Sequence, residues 1–326
     1  MELNDILSIV AEDLENVENE IDRNIQSPVP LVYEISKYLL GSGGKRIRPS
    51  ILLLCSGSAG TSNGWKKIRS AAAIELIHTA SLLHDDVVDE AGVRRGKPSS
   101  NVTWGNKPPV LVGDYLLSRA LGLIQSCGDL KLIKTVTDAS SKLAEGQVLE
   151  VMSSTRMIDV TEEVCFGIIE NKTASLIESS ARLGALIAEC EDSLVTAFSN
   201  YGLNIGIAFQ LTDDALDYSS TEDEFGKQVG QDLVEGKMTL PLFYSIQKST
   251  PSEKDKVEKI LNGKEFGDDD LSFIFEIVGK YRGVDLTINS AKSFISKARE
   301  SISVLPLNDY KKSLIDLADF IVNRRN

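Results

Sequence analysis

Two short acidic runs carry the most telling chemistry of this chain: Asp85-Asp86-Val87-Val88-Asp89 and Asp213-Asp214-Ala215-Leu216-Asp217. Both read D-D-x-x-D and both lie in apolar, helix-like sequence. The first follows Leu82-Leu83-His84 and the second follows Ala208-Phe209-Gln210-Leu211-Thr212. Residues four apart on a helix share a face, so Asp85 aligns with Asp89 and Asp213 with Asp217. Carboxylates packed this densely against an apolar wall are costly unless a cation binds them. Hard oxygen donors suit Mg2+, which is commonly shared between carboxylates and a substrate's phosphates. A single such run also fits a solvated acidic helix face. Two of them, far apart in sequence and each inside an apolar helix, point to two walls of one metal-diphosphate site.

Basic segments complement the acids. Gly43-Gly44-Lys45-Arg46-Ile47-Arg48-Pro49 sets a glycine turn before three cations and a proline. Glycine lets the backbone approach an anion, and proline suits a first helical turn. Cations at the start of a helix oppose its macrodipole unless an anion sits there. Gly92-Val93-Arg94-Arg95-Gly96-Lys97-Pro98 follows the first acidic run, and its adjacent arginines can serve two different diphosphates. Either cluster alone also reads as a solvated basic loop. Their place beside acidic motifs in a net-acidic chain favours anion binding. His78 lies almost two turns before Asp85, on the face of Ser81 and Asp89, and is a candidate diphosphate donor. A lone helix histidine is also commonly a hydrogen-bonded core residue; His84, at a different angle, is read as structural. Lys172-Thr173 interrupts an apolar pattern, and Lys227 and Lys237 flank the glycine-rich loop after the second acidic run. Each lysine also fits an exposed or snorkelling side chain.

The elements that must position these residues are helices. Apolar residues Leu3, Ile6, Leu7, Val10, Leu14, Val17 and Ile21 follow helical spacing over residues 2–24. Similar patterns predict helices at about 30–41, 49–59, 66–89, 107–126, 129–153, 161–190 and 192–219. Further helices are predicted at about 238–248, 253–262, 268–281, 284–304 and 308–325. No sustained strand-type alternation appears, and no linker or repeat divides the 326 residues. The expectation is one all-α domain over 1–326, built of long buried helices. A net charge of −13 argues against a nucleic-acid partner. No apolar run approaches the roughly 20 residues of a membrane span, and the acidic N-terminus lacks the order of a secretory signal. Cys55, Cys127, Cys165 and Cys190 are scattered, as expected of reduced core residues in a cytoplasmic protein.

The ordered motifs resemble those of the trans-isoprenyl diphosphate synthases. They are Gly43 to Pro49, His78 to Asp89 with Arg94-Arg95-Gly96, Lys172-Thr173, Gln210 to Asp217, and Gly236-Lys237-Met238-Thr239-Leu240-Pro241. The resemblance runs over about 30–245. The segments Glu75 to Asp86 and Asn101 to Asp114 look most like octaprenyl and related long-chain polyprenyl diphosphate synthases. It implies an isoprenoid-synthase-type bundle around a central cavity. It also implies Mg2+ held by Asp85, Asp86, Asp89, Asp213, Asp214 and Asp217. Arg94, Lys172, Lys227 and Lys237 match positions near an allylic diphosphate. Lys45, Arg48, His78 and Arg95 match those for isopentenyl diphosphate. Thr173 and Gln210 match polar positions near the reacting carbons. A homodimer is implied, with the apolar helix 107–126 as a candidate interface.

The expected reaction is ionisation of an allylic primer, attack by the double bond of isopentenyl diphosphate, and loss of a proton. Charge on the leaving diphosphate is taken up by metal and cations, and water must be kept from the carbocation. Product length should depend on the residues before Asp85. Ala80 and Ser81 lie about one turn below the acids, with Ile77 and Ile74 deeper. Family members that stop short typically carry an aromatic at the first two positions, so the cavity here is open at its first turn. Leu132 and Val136 are candidates for its floor. The alternatives are a geranylgeranyl or farnesyl diphosphate synthase, a class I terpene cyclase, and a non-catalytic synthase subunit.

Overall fold

The computed structural model describes residues 2–60, 64–155, 157–219, 230–263 and 267–324. Helices account for nearly all of them. In the first half of the chain these are α1 (Leu3–Leu7), α2 (Ala11–Asn24), α3 (Pro30–Leu40), α4 (Ile47–Ser58), α5 (Gly64–Val88), α6 (Ser100–Trp104), α7 (Lys107–Ser126) and α8 (Leu130–Ser154). Then come α9 (Glu162–Ile168), α10 (Ser175–Ile187), α11 (Asp192–Ser219), α12 (Gln231–Val234) and α13 (Leu240–Lys248). The chain closes with α14 (Pro251–Leu261), α15 (Asp268–Lys280), α16 (Gly283–Ser301) and α17 (Asp309–Asn323). The all-α expectation holds, and most boundaries fall within one to three residues of the predicted ones.

Three local features depart from the periodicity. The first predicted helix is interrupted by a 3-10 turn at Ser8–Val10. The predicted helix 161–190 contains a π turn at Ile169–Ala174, between α9 and α10. A two-stranded hairpin, β1 (Val93–Arg94) and β2 (Lys97–Pro98), pairs Val93 with Pro98 and Arg94 with Lys97. Its two-residue turn has Arg95 at φ +51° and Gly96 at φ +76°. Two successive positive φ values are what a primed turn requires. Strands of two residues are too short to show a period in sequence.

The chain divides into two compact units. One comprises Met1–Ser140, Leu176–Gly202 and Ser301–Leu317; the other comprises Ser141–Ser175, Leu203–Glu300 and Ala318–Asn326. In the first, α5 is enclosed on every side: Ala71, Ala72, Ala73, Ile74, Leu76 and Leu83 are fully buried. A helix with no polar face must lie in the interior, and α5 packs mainly on α7, with α2 and α4 on its other flanks. The close α5–α7 approach depends on Gly113, where an added Cβ would fall 2.3 Å from the His84 imidazole Nε2. That nitrogen lies 3.2 Å from the Val110 carbonyl and 3.5 Å from Asp114 Oδ1. These contacts agree with the structural role expected of His84.

In the second unit, the core is formed around Leu240, Leu242, Val257, Ile274 and Ile277, all buried. Two glycines fix the surroundings of the π turn. A Cβ on Gly146 of α8 would lie 2.4 Å from the Lys172 backbone nitrogen. One on Gly206 of α11 would lie 2.5 Å from Ala174 Cα. Both obstacles are backbone, so a side chain at either position would force helices apart, at a cost of about 1–3 kcal/mol or more.

Candidate active site

In the first unit, the end of α5 and the hairpin after it build one group of site residues. Asp86 is completely buried. Its Oδ1 accepts from Arg94 Nε, and its Oδ2 accepts from the Ser100 backbone N–H at 3.2 Å and the Ser100 hydroxyl at 3.0 Å. A buried carboxylate with a guanidinium and two further donors is fully compensated. This differs from the expectation that all three aspartates of the run face a metal: Asp86 turns inward and holds Arg94 and α6. Asp85 on α5 and Asp89 in the turn just after it are partly exposed. The hairpin that carries Arg94 is pinned to α3, where the Tyr38 hydroxyl donates to the Pro98 carbonyl at 2.8 Å and the Tyr38 ring meets Trp104 edge-on at 5.0 Å.

Arg95 leaves the hairpin in another direction. Its guanidinium belongs with the Gly43–Arg48 segment: a Cβ on Gly44 would lie 3.4 Å from Arg95 Nη1. The two adjacent arginines therefore lie in different surroundings, Arg94 against Asp86 and Arg95 against the Gly44 turn. His78 joins this second group. Burial, then the charges of Arg48, Arg95, Arg94 and Arg46, hold its imidazole well below the usual histidine value. It is neutral near pH 7 and can donate a hydrogen bond without adding to the cationic crowd. On the same helix, Ile74, Ile77 and Ala80 are buried. Ser81 is half-buried, with its hydroxyl donating to the His78 carbonyl at 2.8 Å. Leu132 and Val136 of α8 are buried in this unit as well.

The second unit gathers the other group around a cavity of about 120 Å3. Lys172, Thr173, Gln210, Asp214, Asp232 and Lys237 contribute its polar wall, while Val160, Ile168, Ile169 and Leu240 contribute to its apolar wall. The π turn aims Lys172 at Glu150, with which it forms an ion pair. Single π turns in helices are frequent at functional sites. Thr173 Oγ1 donates to Gln210 Oε1 at 2.8 Å, and Gln210 Nε2 donates to Asp214 Oδ1 at 2.8 Å. The relay Thr173–Gln210–Asp214 thus fixes the amide between a hydroxyl and a carboxylate. Lys237 pairs with Glu235 at 2.6 Å. Lys227 lies outside the described residues.

The acids of this group repel one another. Asp214 is buried, and its carboxyl is pushed well up by burial and by the charges of Asp232, Asp213 and Glu150, against the pull of the Gln210 hydrogen bond. Asp232 is pushed up to about 7, by burial first and by Asp217 next. Asp217 accepts from the backbone N–H groups of Gln231 at 3.3 Å and Asp232 at 3.2 Å. Asp213 accepts from Arg324 Nη2 at 2.6 Å, and that guanidinium stacks on the Phe209 ring at 4.0 Å. Among the described residues, no three His, Cys, Asp or Glu groups converge to hold a metal by themselves. The donor set is all oxygen and crowded, and burial and like charge raise Asp214 and Asp232, which fits a hard divalent ion completed by phosphate and water.

Sequence reasoning missed Glu150, Asp232, Glu235 and Arg324. Glu150 had a signal, since it is the one charge in Val148-Leu149-Glu150-Val151-Met152. The others sit in or just after the one-turn helix α12 or near Asn326, where spacing says nothing about which acid or base they meet.

Comparison with known proteins agrees with this geometry. The polyprenyl synthetase family profile matches residues 29–278. The octaprenyl diphosphate synthase of Escherichia coli (strain K12) is 37% identical, with 99% of each chain covered. A short chain isoprenyl diphosphate synthase of Methanothermobacter thermautotrophicus is 35% identical, again with 99% of each covered. A crystal structure of polyprenyl synthase from Caulobacter crescentus CB15, complexed with calcium and isoprenyl diphosphate, superposes with a TM-score of 0.95 at 36% identity, covering 100% of this chain and 98% of that one. The acidic motifs, the paired arginines and the Thr173–Gln210–Asp214 relay therefore stand in a member of the polyprenyl synthetase family, and the chain is a prenyltransferase, a trans-prenyl diphosphate synthase.

Proposed function

We propose that the chain condenses an allylic diphosphate with successive isopentenyl diphosphates to an all-trans long-chain product, about octaprenyl, and releases diphosphate. The observation that carries the length is the pair of small residues, Ala80 and Ser81, one turn behind Asp85 on α5. The octaprenyl diphosphate synthase of Escherichia coli supports it as a relative.

The allylic diphosphate is assigned to Arg94, Lys172 and Lys237, with Lys227 by resemblance. Bound Mg2+ at Asp85, Asp89, Asp213, Asp214 and Asp217 would offset the negative charge that develops on the leaving group. Asp86 acts one step back, by holding Arg94. Isopentenyl diphosphate is assigned to Lys45, Arg48, Arg95 and neutral His78. Thr173 and Gln210 orient their dipoles at the reacting carbons, and the apolar wall at Ile168, Ile169 and Leu240 excludes water. Residues 1–326 act as one catalytic domain, since neither compact unit is a continuous stretch of chain.

Incubation with isopentenyl diphosphate and a labelled primer, followed by product chromatography, tests the length. Wild type should release products of about eight units. Ser81→Phe or Ala80→Phe should release about three or four, a block one or two turns below the acids. Folded variants with unchanged product would remove the physical basis of the long-chain reading. A homodimer is proposed through α7, where Val110, Leu111 and Leu121 are 37%, 67% and 37% exposed; a monomeric mass by light scattering would refute it. No described helix is long and apolar enough to cross a membrane. The cysteines are free thiols, which supports a cytoplasmic setting; recovery of the native protein in an oxidising compartment would oppose it.

A further inference from the structure

The three cations that open α4 are not equivalent. Arg46 precedes the helix at φ +48°, in the left-handed region where a non-glycine residue is strained. Its guanidinium folds back over the glycine turn: a Cβ on Gly44 would lie 2.6 Å from Arg46 Nη1. There it is held on three sides. Nε donates to Glu18 Oε1 on α2 at 2.5 Å, and Nη2 to Glu18 Oε2 at 3.3 Å. Nη2 also meets the Leu40 carbonyl at 3.3 Å, and Nη1 donates to Glu75 Oε1 on α5 at 3.0 Å.

Glu75 is 5% exposed. It stands one helical turn before His78, and burial raises its carboxyl above the ordinary value against the opposing charges of Arg46, Arg48 and Arg95. A buried ion pair contributes little net stability compared with apolar residues of similar volume. A strained backbone persists only where its surroundings over-determine it. The arrangement is therefore poorly explained by stability and well explained by the need to hold a turn.

We propose that Glu75, Arg46 and Glu18 form a positioning network that fixes the Gly43–Arg48 turn, and with it Lys45 and Arg48, in the geometry that grips the diphosphate of isopentenyl diphosphate. This rests on the assignment of Lys45, Arg48, His78 and Arg95 to that substrate. The three network residues touch no substrate. Glu75 supplies buried negative charge against the surrounding guanidiniums, and Arg46 transmits its position to the backbone from which Lys45 and Arg48 extend. Without Glu75 the guanidiniums would repel and spread, and preorganisation would be lost.

The sign of the effect separates positioning from field. If Glu75 acted only as a repulsive charge, its neutralisation would tighten a diphosphate. If it positions the cations, neutralisation weakens binding. In steady-state assays of the full-length protein, Glu75→Gln should raise the KM for isopentenyl diphosphate about tenfold, and Glu18→Gln about threefold. The KM for the primer should stay within about twofold in both. Glu18 is 47% exposed at its side chain, so its variant folds even if Glu75→Gln does not. The double variant Arg46→Gln with Glu75→Gln, which removes both partners of the Arg46–Glu75 pair together, should share the raised isopentenyl KM. An unchanged or lowered isopentenyl KM in the folded variants overturns the network, as does an equal shift for both substrates. Arg48→Ala separates the two levels. If it leaves the isopentenyl KM alone, the subsite assignment falls and the network with it. If it raises that KM while the glutamate variants do not, the network alone falls.

Discussion

The two acidic motifs share a sequence pattern but differ in how their charge is met. In the first, the buried carboxylate of Asp86 has a guanidinium on one oxygen and two donors of Ser100 on the other. In the second, the buried carboxylate of Asp214 has a neutral amide from Gln210, while Asp232, Asp213 and Glu150 push its carboxyl up. One buried acid is compensated by the chain itself; the other is surrounded by like charge. The same five-residue pattern thus contains a structural carboxylate at one place and an under-compensated one at the other. What decides between them lies elsewhere in the chain: Arg94 of the hairpin meets the first motif, and Asp232 and Glu150 face the second.

The comparison breaks most readily by neutralising each buried acid. Asp214→Asn keeps a hydrogen-bond acceptor for Gln210 and removes repelled charge. It should leave the metal-free protein as stable as wild type, or more stable by about 1 kcal/mol, and lower condensation by at least about a hundredfold. Asp86→Asn strands Arg94, whose side chain is only 25% exposed, and should cost about 2–4 kcal/mol of stability. Heat unfolding in EDTA reads both. Similar shifts from the two variants would abolish the distinction. In the same assay EDTA should stop turnover of the wild type and Mg2+ restore it; undiminished activity in the chelated enzyme would remove the metal from the account.

Much of this was legible in sequence, because helical period and charge are local properties. The spans of α7 and α11 match their predicted bounds, and Lys172, Thr173, Gln210 and Asp214, singled out by residue type, line one cavity. The inward turn of Asp86 was not legible. It depends on Ser100 and Arg94, which reach it only through a hairpin of two-residue strands. The π turn left no trace in the apolar pattern, since one extra residue in a turn shifts the period too little to see. Arg324 meets Asp213 across more than a hundred residues, and no spacing rule reports a contact of that kind.

A second, smaller test uses the hairpin. Arg94 is bound to Asp86, while Arg95 leans toward Gly44. Arg94→Ala should raise the KM for the allylic primer about tenfold and that for isopentenyl diphosphate little. Arg95→Ala should do the reverse. If both variants affect both substrates alike, the turn does not separate the arginines in function, and the first motif has no private cation.

The smallest expected effect is a pH slope that belongs to the second motif. The Asp232 carboxyl lies at about 7 in the folded chain, against an ordinary value of 3.8. A carboxyl raised on folding keeps its proton in the native state over that interval while the unfolded chain has lost it. Stability is therefore fully present below about 4 and falls as pH rises toward about 7. The charge of Asp232 also raises Asp214, so the two titrations are linked and the effect belongs to the acidic group rather than to one residue. One pKa unit corresponds to about 1.4 kcal/mol; with acid-induced losses elsewhere acting in the opposite sense, a net contribution of about 1–2 kcal/mol is expected. Metal-free Asp232→Asn should show a flatter decline in Tm than wild type between about pH 5 and 7. Added Mg2+ should flatten the wild-type curve too, because a bound cation favours the ionised carboxylates and removes the reason for the extra proton. A slope that persists unchanged in Asp232→Asn and in Mg2+ would assign the titration to other groups and return the second motif to the same standing as the first.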